Sequence, residues 1–290
     1  MKPHVGFIGL GLIGLPMARH VLHAGFPLTV FNRTRSKAES LEKQGARVAS
    51  SPGEAAAEAD VLVTVVSDPP ALEEVMLGEK GAAEGLRAGS TWVDCSTVSP
   101  ALERKLTATL EKRGVETLDA PITGGTWGAE KGELVFMVGG KAAVLDKMRP
   151  VFQAMGKQIF LMGDHGSGQA TKLGLNLIMA ATLGVFCEAI SLVARAGIDR
   201  ERMFELIQSS MARAGIIDIK APLIFKGDFS PSFPLRLMHK DLGLALELGN
   251  QLHVPMPIAA ATREVFNATR ALGHSDADYS VIAKFFEQPA

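Results

Sequence analysis

Val5-Gly6-Phe7-Ile8-Gly9-Leu10-Gly11-Leu12-Ile13-Gly14 is the stretch whose reading decides the fold. Val5 to Ile8 read as a short buried strand, and Leu15 to His23 carry a helical pattern. A second strand, Leu28 to Phe31, ends in Asn32-Arg33-Thr34. Strand, glycine turn, helix, strand is the order a dinucleotide needs. Gly9 permits the tight turn, Gly11 lets a pyrophosphate approach the backbone, and Gly14 lets the helix pack closely on the strand. The helix N-terminus offers its N–H groups to the anion. Gly9, Leu10, Gly11, Leu12, Ile13 and Gly14 are therefore candidate cofactor-binding residues.

The end of the second strand bears on which dinucleotide is bound. An NAD site usually places Asp or Glu there, about twenty residues past the glycines, on the ribose 2′-hydroxyl. This chain has Asn32, followed by Arg33, Thr34 and Arg35. A carboxylate would repel a 2′-phosphate, whereas a guanidinium grips it with a planar fork. Asn32, Arg33 and Thr34 thus point to NADP(H) as the preferred cofactor, with NAD(H) as the second option. The same residues also suit an ordinary solvated loop. Val66 and Ser67, where the next strand ends, are further candidate cofactor contacts.

With 290 residues the chain has length for one or two domains and a large core. Its net charge of −1 gives no reason to expect nucleic acid or an anionic membrane surface as partner. Cys95 and Cys187 are isolated and make no disulfide framework, so a reducing, cytoplasmic setting is expected. The N-terminus starts almost at once with a strand, and no signal peptide is expected. The longest apolar run, Leu173 to Cys187, is too short to span a bilayer and suits a buried helix.

The first half alternates strand and helix. Ser36 to Gln44 and Pro52 to Glu58 read as helices, Val61 to Val66 as a continuous apolar strand, and Thr91 to Asp94 as the next. Ser99-Pro100 starts a helix to about Arg113. Val115 to Leu118 and Glu133 to Val138 are strands, Ala142 to Met155 is a helix, and Gln158 to Leu161 closes the set. This alternation predicts an α/β Rossmann domain, a doubly wound parallel sheet over residues 1–163. From Gln169 to about Ala196 the chain is apolar on nearly every face, which predicts a long helix buried by several neighbours. Helices over 199–210, 216–225, 235–252 and 258–272 follow, with no convincing strand. Residues 164–290 are thus expected to form an all-α substrate and oligomerisation domain built on that long central helix.

Three segments carry candidate chemistry. Asp94-Cys95-Ser96-Thr97-Val98-Ser99-Pro100 lies at the C-terminal end of a parallel strand, where open α/β sheets bind ligands. Ser99 suits a helix N-cap, while Ser96 and Thr97 either face the cofactor or simply fill the turn. Asp119-Ala120-Pro121-Ile122-Thr123-Gly124-Gly125 also follows a strand. Gly124 and Gly125 either expose backbone N–H groups to a substrate carboxylate beside the Thr123 hydroxyl, or serve only as positions of positive φ. In Gly168 to Asn176, Lys172 is the one basic residue between Lys157 and Arg195, in the first turns of a greasy helix. Asn176 is four residues on, so both side chains share a face. An exposed lysine at a helix start is common, but a polar pair within this helix favours function. Hydride transfer to a carbonyl leaves an alkoxide that needs a proton, and Lys172 can supply it as general acid. Lys240 is a nearby cation or a cofactor contact. The seven histidines show no metal-ligand spacing, and no metal is expected.

These segments together resemble the β-hydroxyacid dehydrogenase family, which includes 3-hydroxyisobutyrate dehydrogenase, tartronate semialdehyde reductase and glyoxylate/succinic semialdehyde reductase. The matching pieces are Phe7 to Gly11 with Gly14 and Pro16-Met17-Ala18, then Asp119-Ala120-Pro121 with Thr123-Gly124-Gly125, Gly128-Ala129, Gly132 and Leu134, then Gly166 to Asn176, and Lys240-Asp241-Leu242. The resemblance implies Lys172 as the catalytic residue, Thr123, Gly124, Gly125 and Asn176 at a small hydroxyacid or semialdehyde, and Thr97 and Lys240 at the cofactor. It also implies a homodimer or homotetramer associating through the helical domain. Thr123 stands where many members have Ser, which keeps the hydroxyl. Asn32-Arg33-Thr34 is similar to the NADP-using 6-phosphogluconate dehydrogenases, although the chain is too short to be one. An imine reductase or a non-catalytic cofactor-binding module would share the architecture, but such relatives typically lack the lysine.

Overall fold

The computed structural model describes residues 2–287 and divides into two compact units, one up to Lys172 and one from Leu173 onward. The first unit holds nine strands: β1 (Val5–Ile8), β2 (Leu28–Phe31), β3 (Arg47–Val48), β4 (Val61–Thr64), β5 (Thr91–Asp94), β6 (Glu116–Asp119), β7 (Ile122–Thr123), β8 (Leu134–Gly140) and β9 (Gly156–Gly163). Its helices are α1 (Gly14–His23), α2 (Glu39–Glu42), α3 (Pro52–Ala57), α4 (Pro69–Leu77), α5 (Ala82–Gly85), α6 (Pro100–Glu111), α7 (Gly125–Lys131) and α8 (Ala142–Met155). The sheet order is β3-β2-β1-β4-β5-β6-β8-β7, with β9 on β8. Pairing is parallel from β3 through β6, with Val5 opposite both Leu28 and Val61.

The order reverses at β1, so the chain leaves the sheet centre in both directions, which opens a crevice at the strands' C-terminal ends. Side chains alternate across the sheet: Val5, Phe7, Val61 and Val63 pack on one face, Ile8 and Leu62 on the other. The first face is covered by α1, α7 and α8, where Phe136 and Phe152 meet edge to face at 4.8 Å. The second is covered by α3 to α6, through Leu72, Met76, Leu106 and Leu110. Each such side chain taken out of water contributes about 1.5–3 kcal/mol.

The sheet is doubly wound and mainly parallel, as the alternation predicts, and the first unit differs from the sequence pattern in two details. The sheet is not wholly parallel, because β8 runs antiparallel to β6 and β7. The positive-φ glycines Gly124 and Gly125 and the helix α7 turn the chain back after β7, so β8 enters from the opposite direction. The stretch 36–44 is not one helix: a 3₁₀ turn (Arg35–Ala38) precedes the short α2.

The second unit is helical. It contains most of α9 (Ser167–Arg195), then α10 (Arg200–Gln208), α11 (Gly215–Lys226), α12 (Leu235–Gln251), α13 (Pro257–Ala271) and α14 (Ala283–Phe286). Leu183, Phe186 and Ile190 of α9 pack with Leu235, Leu242 and Phe266 in its core. The ion pair Lys220–Asp278, 2.8 Å apart, is buried within it. At 29 residues α9 is long and apolar enough to cross a membrane by length and composition alone. Its all-round apolar sequence predicts cover on every side, yet within one chain Ile178, Val185 and Leu192 are exposed, at 65%, 64% and 71%. These residues are seven apart and so form one stripe along the helix.

Candidate active site

The three glycines of the turn do different work. Gly9 sits at φ +101°, and a Cβ there would strike the Val65 carbonyl. A Cβ at Gly14 would strike the Gly9 carbonyl, so this glycine sets the closeness of α1 to β1. A Cβ at Gly11 would meet nothing within 4 Å, so this backbone faces open space where a pyrophosphate fits. The first turn of α1 carries no acid to oppose an anion. Leu10 is buried, while Leu12 is exposed and Ile13 half-buried before the helix begins. The Asn32 carboxamide braces this turn. Its oxygen accepts from Leu10 N at 2.9 Å and its nitrogen donates to the Thr34 carbonyl at 2.9 Å. Arg33 is exposed and, among the described residues, makes no ion pair, whereas Arg35 reaches Glu42 at 3.5 Å. These residues fit a nicotinamide dinucleotide.

The ends of β4 and β5 are laced together. Val66 N donates to Ser96 Oγ at 2.9 Å, and Ser96 Oγ donates to Asp94 Oδ1 at 2.7 Å. Thr64 Oγ1 donates to the same carboxylate oxygen at 2.6 Å. Burial pushes Asp94 up to about 6, against these donors, and the charge of Asp119 adds to the rise. Ser67 Oγ donates to Asp68, which caps α4 through Ala71 N. Ser99 caps α6 through Leu102 N at 3.2 Å, as its place before Pro100 predicts. Thr97, between the buried Ser96 and Val98, is half-buried.

Beyond β6, Thr123 ends β7, and Gly124 (φ +128°) and Gly125 (φ +61°) start α7. Both glycines are exposed, and Gly124 O accepts from Gly128 N at 2.9 Å. The sequence reading did not foresee that this turn opens a helix.

Lys172 is buried, 8% exposed, in the second turn of α9. That helix start is fixed to the sheet by residues whose roles the sequence reading missed. Asp119, the last residue of β6, accepts from Gly166 N at 2.7 Å and Gln169 N at 2.9 Å. Burial raises the Asp119 carboxyl, while those two N–H groups and His165 oppose the rise. Gln169, fully buried, accepts from Val98 N and donates to the Ser96 carbonyl, both at 3.0 Å. A Cβ at Gly168 would collide with Met137 O and Asp119. The first turn of the helix that carries Lys172 is therefore held by the strand end that leads into Thr123. The available signal was an acid directly after a buried strand, with glycines near the helix start.

In the second unit Asn176 is also buried. Its Nδ2 donates to Asp241 Oδ2 at 2.6 Å, and Asp241 Oδ1 pairs with Lys240 Nζ at 3.0 Å. Asp241, 1% exposed, thus orients one amide and one ammonium. His239 Nδ1 accepts from Arg270 at 2.9 Å, and burial, then Arg263 and Arg270, push it down to about 4, so it is neutral.

A doubly wound domain with an open glycine turn, a buried lysine and a helical second unit defines a dinucleotide-dependent oxidoreductase. Residues 4–163 match the family described as the NAD binding domain of 6-phosphogluconate dehydrogenase. Residues 166–286 match the family described as NAD-binding of NADP-dependent 3-hydroxyisobutyrate dehydrogenase. The chain is 37% identical to 2-(hydroxymethyl)glutarate dehydrogenase of Eubacterium barkeri over 98% of this chain and 95% of that protein. It is 35% identical to the chloroplastic glyoxylate/succinic semialdehyde reductase 2 of Arabidopsis thaliana, over 96% and 78%. The solved Mycobacterium tuberculosis 3-hydroxyisobutyrate dehydrogenase with L-serine superposes with a TM-score of 0.91 at 29% identity, covering 99% and 100%. The chain belongs to the β-hydroxyacid dehydrogenase family.

Proposed function

We propose that this chain interconverts a small β-hydroxyacid and its semialdehyde, or reduces glyoxylate-type aldehydes, with NADP(H) preferred over NAD(H). One observation carries the reading: Lys172 is a buried amine on a helix that Asp119 and Gln169 pin to the end of β6. An ammonium carried on a helix anchored in this way can hand its proton to an alkoxide in one direction and take it back in the other. The bound nicotinamide would supply or accept the hydride. The open Gly11 backbone, with Leu12, Ile13 and the rest of the Gly9–Gly14 turn, would hold the pyrophosphate. Exposed Arg33, with Thr34, would meet a 2′-phosphate, and the description of the second matching family as NADP-dependent supports that preference. Val66, Ser67, Thr97 and Lys240 would complete the cofactor contacts. Thr123, Gly124, Gly125 and Asn176 would hold the substrate carboxylate and carbonyl. The exposed stripe Ile178, Val185 and Leu192 supports a homodimer or homotetramer formed through α9.

The test is a panel of glyoxylate, succinic semialdehyde, tartronate semialdehyde, methylmalonate semialdehyde, 3-hydroxyisobutyrate and 2-(hydroxymethyl)glutarate, run with NADPH or NADH in the reducing direction and NADP⁺ or NAD⁺ in the oxidising one. Lys172→Ala should lower turnover on the best of these by about 10²–10⁴-fold and leave NADPH binding nearly intact. Unchanged turnover removes Lys172 from the role.

A further inference from the structure

Glu103, in the first turn of α6, is fully buried, yet neither of its carboxyl oxygens receives a hydrogen bond. Its polar neighbours are the Asp94 carboxyl, which raises its proton affinity, and the Gln169 amide, which lowers it. Asp94 is equally buried. Its Oδ1 takes three donors, from Thr64 and from the hydroxyl and N–H of Ser96, while its Oδ2 takes none. The groups around Glu103 are Asp94 on β5, the thiol of Cys95 just after β5, Asp119 on β6 and Gln169 on α9; burial, Asp94 and Glu103 itself keep that thiol protonated. Among the described residues no lysine or arginine pairs with any of these three acids.

Two ionised carboxylates in this position would be acceptors only. Each would bury an unsatisfied oxygen against a like charge, which is costly. A single proton removes both defects, because a carboxylic O–H donating to a carboxylate is a short, charge-assisted bond. We infer that Glu103 is held as the neutral acid, donating its proton to Asp94 Oδ2, and that this shared proton positions the 96–98 loop and the first turn of α9. Burial drives the Glu103 carboxyl well above its ordinary value, and the charges of Asp94 and Asp119 push it the same way.

Glu103 stands between the two pieces it joins. Through Asp94 it braces Ser96, and so Val66. On its other side is Gln169, whose amide holds Val98 N and Ser96 O while its own N–H is held by Asp119. Ionising Glu103 would put a second full charge beside Asp94 and push the loop away from the helix that carries Lys172. Glu103 is therefore a positioning residue, and its effect on turnover rests on the role proposed for Lys172.

The experiment pairs infrared pH-difference spectroscopy on carboxyl-labelled protein with kinetics of Glu103→Gln and Glu103→Ala. At neutral pH the intact protein should show the C=O stretch of a protonated carboxylic acid, absent from Glu103→Gln. Glu103→Ala should lower kcat by about tenfold or more, the loss expected when a buried acceptor is orphaned. Glu103→Gln, neutral and of the same shape, should restore kcat and flatten the fall of stability with rising pH. Absence of the protonated band, or a Gln variant as impaired as Ala, overturns the inference. The band and the stability profile do not depend on catalysis. If both behave as expected while no substrate is turned over, the shared proton stands and the reading of Lys172 falls.

Discussion

Asp94 in the first unit and Asp278 in the second each hold, through Oδ1, the hydroxyl and the backbone N–H of the serine two residues on. The hydroxyl distances are 2.7 Å to Ser96 and 2.7 Å to Ser280, and the N–H distances are 3.2 and 3.1 Å. Both acids are buried, at 0% and 1% exposure. Their proton affinities nevertheless move in opposite directions. For Asp94, burial wins and the carboxyl rises to about 6. For Asp278, burial would also raise it, but Lys220 at 2.8 Å and the Ser232 and Ser280 hydroxyls overcome that and hold it below 3.8. The same Asp-x-Ser turn thus carries a fixed charge where a cation is present and a titratable one where the neighbour is another acid. The difference lies in the partner across the fold, since the local bonds are alike.

Removing the cation tests the comparison most severely. Lys220→Met strands Asp278 in the core and should cost about 3–5 kcal/mol in a urea melt, as expected for a buried pair broken on one side. Adding Asp278→Asn should recover part of that loss, because it removes the stranded charge while its one oxygen still accepts on one side, from Ser232 and Phe233 at the place of Oδ2 or from Ser280 at that of Oδ1. Asp94→Asn alone should be much milder, because no cation there depends on the carboxylate. If Asp94→Asn costs as much as Lys220→Met, the contrast is wrong.

The pH dependence is the second test, and its two arms have opposite sign. Asp94 keeps its proton to about pH 6 when folded and loses it near 3.8 when unfolded, so the folded state binds more protons in between. Stability therefore falls as pH rises through that window, by on the order of 2–3 kcal/mol. Asp278 is lowered, so its contribution is present above 3.8 and is lost as pH falls through its folded value. Carboxyl-carbon NMR should place the Asp94 midpoint near 6 and that of Asp278 below 3.8. Asp94→Asn should remove the first arm alone. A single common midpoint would end the comparison.

What the sequence revealed and what it hid divide along the same line. The glycine turn was legible because its pattern sits between a strand period and a helix period, and α8 was legible as Ala142–Met155 from apolar spacing and flanking glycines. The Ser99 cap was legible because the bond it makes is three residues long. Asp119 and Asp241 were visible only as members of motifs. Their partners Gly166 and Asn176 lie 47 and 65 residues away, and no local spacing announces such a bond. Glu103 reads as an ordinary first-turn acid, favoured by the helix dipole, until the fold buries it with both oxygens unpartnered. The helix α7 was hidden because Gly124-Gly125 suggests a turn, and here the turn starts a helix.

The smallest effect separates the two turns most sharply. Ser96→Ala and Ser280→Ala each delete one hydroxyl from Oδ1. A hydrogen bond to a charged group is worth ~1.5–3 kcal/mol and one to a neutral group ~0.5–1.5. Near neutral pH both aspartates are ionised, and both variants should show the larger loss. Near pH 5 Asp94 has taken up its proton and Asp278 has not. The cost of Ser96→Ala should therefore shrink by about 1 kcal/mol between the two conditions, whereas that of Ser280→Ala should not change. Ser96 Oγ also accepts from Val66 N, but that bond is insensitive to pH over this range and cancels in the difference. Equal pH dependence in the two variants would mean that the acids titrate alike, and that Lys220 is not what sets them apart.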